Sequence, residues 1–260
     1  MSVAAYQRRR EIEAIVAREQ FASVSELARA MGSSPMTVRR DIELLDATHR
    51  VRKIHGGAIS VLDDNMTPSR DAVPVPVAAN WNAIALAALS VATPHTSVAL
   101  NAGPGARYLA QRLAEVEGLT IVTNSLAVAG VVERTIADRG QRWADLIVTG
   151  GSRMASGALV GPTAIAALAQ INPAILFLSV DGVDETMGVS TDEVLEAEVN
   201  RAFLASAQRT AIVVSESQWG TVGLNLLGPV GRASFLVTDA ALGAALIEKL
   251  DASNVQLVRA

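Results

Sequence analysis

The chain has 260 residues, half of them hydrophobic and 18% charged, with a net charge of −4. That length leaves room for about two domains, and that balance excludes a disordered chain. Cysteine is absent and the three histidines, His49, His55 and His95, stand in no metal-ligand spacing, so disulfides are excluded and neither a metal nor a cofactor is expected. Residues 1–60 hold ten Lys or Arg against seven Asp or Glu, which leaves −7 for the other 200 residues. Such asymmetry suits a nucleic-acid-binding segment joined to an acidic body. Residues 1–10 lack an apolar signal core, and no run approaches the roughly 20 apolar residues that span a bilayer. A cytoplasmic chain with no membrane partner is expected.

In chain order, Ile12, Ile15 and Val16 recur at helical spacing among Arg and Glu, which predicts an amphipathic helix over residues 4–19. Ser23 or Ser25 can cap a second helix carrying Leu27, Ala28 and Met31, and Gly32 stops it. Ser34 then stands as an N-cap before Pro35, and Val38, Ile42 and Leu45 form the next apolar stripe. With that stripe turned inward, Met36, Thr37, Arg40 and, on a flank, Arg39 project from the N-terminal half, the part of a recognition helix that reaches base edges. Arg can bond guanine bidentately, Thr and Met offer hydroxyl and methyl contacts, and Arg39 or Arg40 can instead hold phosphate. The N–H groups behind Ser34 suit a phosphate as well. Residues 50–58 alternate apolar and basic side chains before a glycine pair, which reads as a hairpin wing placing Arg52, Lys53 and His55 on the DNA backbone. A three-helix interaction domain with a solvated arginine face is the alternative. The co-occurrence of cap, proline, exposed Arg pair and basic wing, in that order, favours the winged helix-turn-helix.

Residues 61–80, with three prolines and no periodicity, read as a linker between a DNA-binding domain over 1–60 and a second domain over 81–260. In the latter, residues 97–100, 119–123, 145–149, 174–180, 210–214 and 235–238 read as strands alternating with helices, which predicts a Rossmann-like parallel α/β sheet. Ligands of such sheets sit beyond the carboxyl ends of the strands. There the chain places Asn101-Ala102-Gly103-Pro104-Gly105, Thr123-Asn124-Ser125, Gly150-Gly151-Ser152-Arg153 and Asp181-Gly182-Val183-Asp184-Glu185. Glycines let backbone N–H groups approach an anion, while carboxylates and amides bind hydroxyls. A small polyhydroxylated effector therefore fits Asn101, Gly103, Gly105, Thr123, Asn124, Ser125, Gly150, Gly151, Arg153, Asp181, Gly182, Asp184 and Glu185. Taken singly, these are ordinary turn residues; their coincidence at one sheet edge is what suggests a site. Ser125 has no histidine partner in a recognisable motif, so a turn donating hydroxyls suits it better than a nucleophile.

Ser-Glu-Leu-Ala at 25–28, Met-Thr-Val-Arg-Arg-Asp-Ile at 36–42 and Arg-Lys-Ile-His-Gly-Gly-Ala at 52–58 resemble the DeoR family of repressors, and the likeness continues more loosely to Trp219-Gly220. The resemblance implies a C-terminal sensor domain related to sugar-phosphate isomerases, and a repressor released from operator DNA by a phosphorylated metabolite. Two stretches depart from the family pattern. Asp-Ser-Gly-Thr-Thr is usual where residues 101–105 stand, and Asp-x-Ser-Lys-Phe-Gly is usual where Ser215-Glu216-Ser217-Gln218-Trp219-Gly220 stands, so Gln218 replaces a lysine among the effector-site candidates. Any phosphate would rely on Arg153, Arg107 or Arg201 and on backbone N–H groups. This suggests an effector less charged, or differently placed, than a common sugar phosphate.

An enzyme is the competing class, because residues 181–185 resemble the Asp-Gly-Ala-Asp-Glu stretch of ribose 5-phosphate isomerases. Met187-Gly188-Val189-Ser190 follows, without the lysines of that enzyme's pattern, so the electrostatic support for proton transfer beside a carbonyl is missing and no catalytic residue is assigned. The expected partners are double-stranded operator DNA, a small effector, and a second copy of the chain in a symmetric homo-oligomer, dimer or tetramer.

Overall fold

The computed structural model describes residues 3–19, 21–48, 50–54, 57–60, 80–139 and 144–260. The chain divides into two compact units, Met1–Thr67 and Pro68–Ala260. Most of the 61–80 segment lies outside the described residues, as does His55.

The first unit runs α1 (Val3–Glu19), β1 (Phe21–Ser23), α2 (Val24–Ala30), α3 (Pro35–Ala47), β2 (Val51–Ile54) and β3 (Gly57–Ser60). Ser23, not Ser25, caps α2: its Oγ accepts from the Glu26 N–H at 3.2 Å while Glu26 Oε2 accepts from the Ser23 N–H at 2.9 Å. This reciprocal box satisfies two otherwise orphaned donors. Its bonds from the Ser23 hydroxyl and N–H hold the Glu26 carboxyl below the ordinary range. Gly32, at φ +56°, turns the chain out of the helix. Ser34 caps α3 through a 3.2 Å bond from the Thr37 N–H, with Pro35 in the first helical position.

Ile12, Val16, Leu27, Val38, Ile42 and Leu45 bury together as the core of this unit. Asp41, 5% exposed, pins α1 to α3 by accepting from Arg8 Nε at 2.6 Å and lying 3.3 Å from Arg9 Nε. β2 and β3 form an antiparallel hairpin, and β1 adds to β3 on its other side. The hairpin is the wing expected from the 50–58 pattern.

The second unit begins α4 (Trp81–Ala88), β4 (Ser97–Leu100), α5 (Ala106–Leu113), β5 (Leu119–Thr123), α6 (Leu126–Arg139), β6 (Ala144–Val148), β7 (Ser152–Arg153), β8 (Leu159–Val160) and α7 (Pro162–Leu168). It continues β9 (Ile175–Ser179), β10 (Gly182–Asp184), β11 (Gly188–Thr191), α8 (Val194–Ser206), β12 (Thr210–Val214), β13 (Asn225–Gly228), β14 (Phe235–Thr238), α9 (Ala244–Ala252) and β15 (Gln256–Arg259). A seven-stranded sheet in the order β15-β14-β12-β9-β4-β5-β6 is parallel throughout. β9 shows why apolar runs make such strands: Ile175 and Phe177 pack on one face of the sheet, Leu176 and Leu178 on the other, and every residue is buried.

The expected strands agree with the observed ones to within a residue at each end. Sequence reading missed β15, a half-exposed edge strand whose polar ends hide its pattern, and the small antiparallel sheet β10-β11-β13. Strand order reverses between β4 and β9. Such a reversal opens a crevice where the two following loops diverge, the usual ligand position in open α/β sheets.

Candidate functional site

In the first unit, burial of Val38, Ile42 and Leu45 leaves Met36, Arg39 and Arg40 exposed on the outer face of α3, Met36 at 71%. Thr37 is half-buried, with Oγ1 2.8 Å from Ser34 Oγ, so it steadies the cap as well as facing outward. Arg39 and Arg40 form no ion pair among the described residues, which leaves both guanidinium forks available to bases or phosphates. Lys53 differs from the free cation expected of it. Its Nζ lies 2.6 Å from Glu43 Oε1, and its N–H donates to Asp46 Oδ1 at 3.0 Å, tying the wing to α3. The Lys53 ammonium in turn lowers the Glu43 carboxyl. An exposed pair of this kind is weak and screened, so a phosphate can compete for Lys53. The Arg52 side chain and His55 lie outside the described residues.

In the second unit, the residues after β4 and β9 meet at the strand reversal. Asn101 Nδ2 donates to the Ser179 carbonyl at 2.8 Å and to Asn200 Oδ1 at 3.0 Å, and Asn101 Oδ1 accepts from the Ser179 N–H at 2.9 Å. The amide expected to hold effector thus stitches β4 to β9. A Cβ on Gly103 would collide with the Ser179 carbonyl, and one on Gly105 with the Trp81 ring. The Gly105 N–H is engaged by Ser179 Oγ at 2.8 Å. These glycines are needed for close packing at the floor of the crevice.

After β5, Thr123, Asn124 and Ser125 are all buried. Thr123 Oγ1 accepts from the Ser125 N–H at 3.1 Å, and Ser125 Oγ accepts from the Val128 N–H at 3.3 Å, starting α6. Asn124 Nδ2 donates to the Leu159 carbonyl at 3.0 Å, while its Oδ1, fully buried, accepts from no described donor. Gly150 and Gly151 take φ of +72° and +125°, and a Cβ on Gly151 would strike the Val160 carbonyl. They fold the β7–β8 hairpin back over Asn124, with Arg153 exposed on β7.

Of residues 181–185, only Asp181 stays outside the β10–β11 hairpin, just beyond β9 of the large sheet. Gly182 to Asp184 form β10, antiparallel to β11, so Asp184 and the exposed Glu185 lie at the far turn of a hairpin. Asp184 Oδ1 accepts from the Met187 and Thr186 N–H groups, which hold its carboxyl below the ordinary range. A Cβ on Gly182 would meet the Thr221 carbonyl. Asp181 Oδ2 accepts from Thr191 Oγ1 at 2.6 Å and from the Asp192 N–H at 3.1 Å. Gln218 is engaged at both ends: Nε2 donates to the Val180 carbonyl at 2.6 Å, and Oε1 accepts from the Ser215 N–H at 3.0 Å. It ties the ends of β9 and β12 together where the family pattern has a lysine.

Two residues that the sequence reading missed link these groups. Glu196 on α8 accepts from Ser156 Oγ at 2.7 Å, and burial, reinforced by Asp181 and Glu193, pushes its carboxyl above the ordinary range. Neither residue follows a strand run, so only the three-dimensional placement of α8 and the β7–β8 hairpin reveals them. The carboxyl edge of the sheet is therefore acidic, and suited to hydroxyl donors. No group of three or more His, Cys, Asp or Glu able to hold a metal occurs among the described residues, and no described helix is long and apolar enough to cross a membrane.

Comparison with known proteins agrees with both halves. The family models described as DeoR-like helix-turn-helix domain and DeoR C terminal sensor domain match residues 8–63 and 78–240. An HTH-type transcriptional regulator of Bacillus subtilis is 26% identical over 252 residues, 96% of this chain and 95% of its own. The glycerol-3-phosphate regulon repressor of Haemophilus influenzae is 25% identical, over 89% of this chain and 88% of its own. A transcriptional repressor of Agrobacterium fabrum is 28% identical over the same shares, 89% and 88%. The solved ribose 5-phosphate isomerase of Methanocaldococcus jannaschii aligns at a TM-score of 0.39 with 14% identity, over 54% of this chain and 53% of its own, too distant for its activity to transfer. With a family model spanning most of the chain and relatives named as regulators along nearly all of it, the chain belongs to the DeoR family of transcription regulators.

Proposed function

We propose that the protein is an operator-binding regulator, acting as a repressor in the cytoplasm, whose grip on DNA is set by a small polyhydroxylated metabolite. The observation that carries this reading is the outer face of α3, where Arg39 and Arg40 stand exposed, with no ion pair among the described residues, beside a satisfied N-cap. Residues 1–60 supply the DNA contacts, 61–80 the linker, and 81–260 the effector site and the oligomer contacts. A symmetric dimer, alone or within a tetramer, presents two α3 helices to half-sites about 34–36 Å apart or a multiple of that. Effector binding shifts this arrangement only by as much as it prefers one state over the other.

The effector reading rests on the crevice beside the β4–β9 reversal. Asn124 Oδ1 is a buried acceptor without a described donor, and such groups are costly unless a ligand or solvent donor reaches them. A sugar hydroxyl is the matching donor, beside Ser125 and the β7–β8 hairpin whose Leu159 carbonyl holds the Asn124 amide. Glu196 and Asp181 disfavour a phosphate close by, which supports an effector less charged than a common sugar phosphate. Named relatives include a repressor of a glycerol-3-phosphate regulon, so glycerol 3-phosphate belongs in the test. In a thermal-shift panel of sugars, sugar acids and sugar phosphates, the expected hit is an unphosphorylated polyol or sugar acid; stabilisation by sugar phosphates alone would overturn this effector class. Binding of DNA from upstream of the protein's own gene, measured by gel shift, tests the regulator reading itself.

A further inference from the structure

Among the described residues, half of the ten large hydrophobic side chains that the second unit exposes stand on two neighbouring elements, α8 and β13. They are Val194 and Leu195 in the first turn of α8, and Val222, Leu224 and Leu226 along the segment that leads into β13 and continues in it. Leu224 is 78% exposed. The backbone beneath them is held firmly: the Gly223 N–H donates to Ser190 Oγ at 2.8 Å, Asn225 Nδ2 to the Asp192 carbonyl at 3.0 Å, and Arg201 Nη2 on α8 to the Leu226 carbonyl at 2.8 Å. Leu227 packs on the core, so Leu224 and Leu226 lie on the opposite, outer face of the strand. Apolar side chains held in place and left uncovered mark a surface for a partner.

The charges on α8 identify the partner. Val194, Glu198, Arg201 and Ala205, all exposed, follow one another at spacings of four, three and four residues, which makes a single stripe along the helix. The stripe is its own complement when reversed. If a second α8 lies antiparallel on the first, about a two-fold axis passing midway between Glu198 and Arg201, then Glu198 faces the Arg201 of the second copy, Arg201 faces its Glu198, and Val194 faces its Ala205. A parallel arrangement sets like charges face to face, so the stripe selects direction as well as partner. Within one chain Glu198 and Arg201 form no ion pair among the described residues, which leaves the carboxylate and the remaining guanidinium donors for an outside group. The small Ala205 opposite Val194 lets the helix axes approach to the usual distance of about 8–10 Å. An axis lying in the plane of this surface also brings β13 against its own copy and covers Leu224 and Leu226.

We propose that this outer face of α8 and β13 is the surface on which a second copy of the chain docks, as an antiparallel, self-complementary pair. The proposal locates the dimer contact of the regulator described above, and rests on that reading. Glu196 of the same helix bonds Ser156 of the β7–β8 hairpin at 2.7 Å, so the helix that meets the second copy also borders the carboxyl-edge crevice. A ligand that shifts α8 there changes how the two copies meet.

The test is sedimentation velocity on the full-length native chain, on Glu198→Arg and on Arg201→Glu. The native chain is expected to sediment as a dimer or a multiple of it. Each variant sets like charges face to face twice across the axis, and should halve the native mass at the same concentration, with the dissociation constant raised at least about 30-fold. Mixed in equal amounts, the two variants should recover the native mass, because each offers the charges that the other lacks; recovery also shows that both are folded. Leu224→Ser should weaken association about tenfold. Native mass in both single variants, or no recovery on mixing, would overturn the proposal while leaving a dimeric regulator in place. A native monomer would overturn both. A native protein that sediments as expected, and whose mixed variants recover, but which ignores DNA from upstream of its own gene, would support this surface and remove the operator reading alone.

Discussion

Helix α3 and the carboxyl edge of the sheet use their polar residues in opposite ways. In α3, the outward-facing Arg39 and Arg40 form no ion pair among the described residues, and Ser34 and Thr37 bond within their own turn. At the carboxyl edge, Asn101, Gly105, Asp181 and Gln218 are bonded to segments elsewhere in the sequence, with Asn101 reaching Ser179 and Asn200. A surface that must meet a large external partner keeps its donors free, whereas a crevice at a strand reversal first has to hold its own walls together. What stands there without a described partner is Asn124 Oδ1.

That contrast can be broken from either side. The largest effect is expected from Arg40→Ala, which should lower operator affinity by about 10- to 100-fold while leaving non-specific binding nearly intact. Unchanged anisotropy titrations on operator DNA would move the reading face away from α3. Next, Asp41→Ala leaves Arg8 and Arg9 without their shared carboxylate and should cost about 2 kcal/mol, less than for a fully buried pair because both arginines are partly exposed. Denaturant unfolding of the full chain should show an earlier transition for the first unit only.

On the crevice side, the raised carboxyl of Glu196 means that the folded state favours its protonated form. Its contribution is therefore most favourable below the ordinary carboxyl value, and declines as pH rises from there through the raised one. Glu196→Gln should flatten that decline above the ordinary carboxyl value, with a gain of about 2 °C in Tm once the native carboxyl is ionised. An unaltered pH profile would remove Glu196 from the buried side of the crevice. The smallest effect belongs to Lys53→Ala, already paired with Glu43 in the free protein. It should weaken all DNA about equally, by a few fold, and reduce the slope of affinity against salt by about one; selective loss on one operator would make Lys53 a base reader.

The same contrast explains what was legible in the sequence. The helices of the first unit were readable because their determinants are local: Ser34 and Pro35 start α3, Gly32 ends what precedes it, and Val38, Ile42 and Leu45 recur on one face. The parallel strands were readable for a similar reason, since burial on both faces leaves continuous apolar runs such as 175–179. At the crevice, residue type pointed to the strand ends but not to the partners these side chains find there. Nothing near Asn101 in sequence announces a partner at Asn200, and Gln218 reads as a lost lysine until its bond to Val180 is seen. Asp184 and Glu185 were displaced for a topological reason: the chain leaves β9 and turns at once into the β10–β11 hairpin, which carries them off the sheet's edge. Glu196 meets Ser156 only when α8 packs, so no spacing rule could have found it.

The central claim, that a ligand in the carboxyl-edge crevice controls DNA binding through α3, is tested most directly by one experiment. Fluorescence anisotropy on DNA from upstream of the protein's own gene would compare the native chain with Asn124→Ala across a panel of sugars, sugar acids, ribose 5-phosphate and glycerol 3-phosphate. The account predicts that both proteins bind the DNA, that one panel member shifts the native midpoint by at least about tenfold, and that Asn124→Ala loses most of that shift. A native protein that ignores the DNA, or a shift that survives intact in Asn124→Ala, would contradict it.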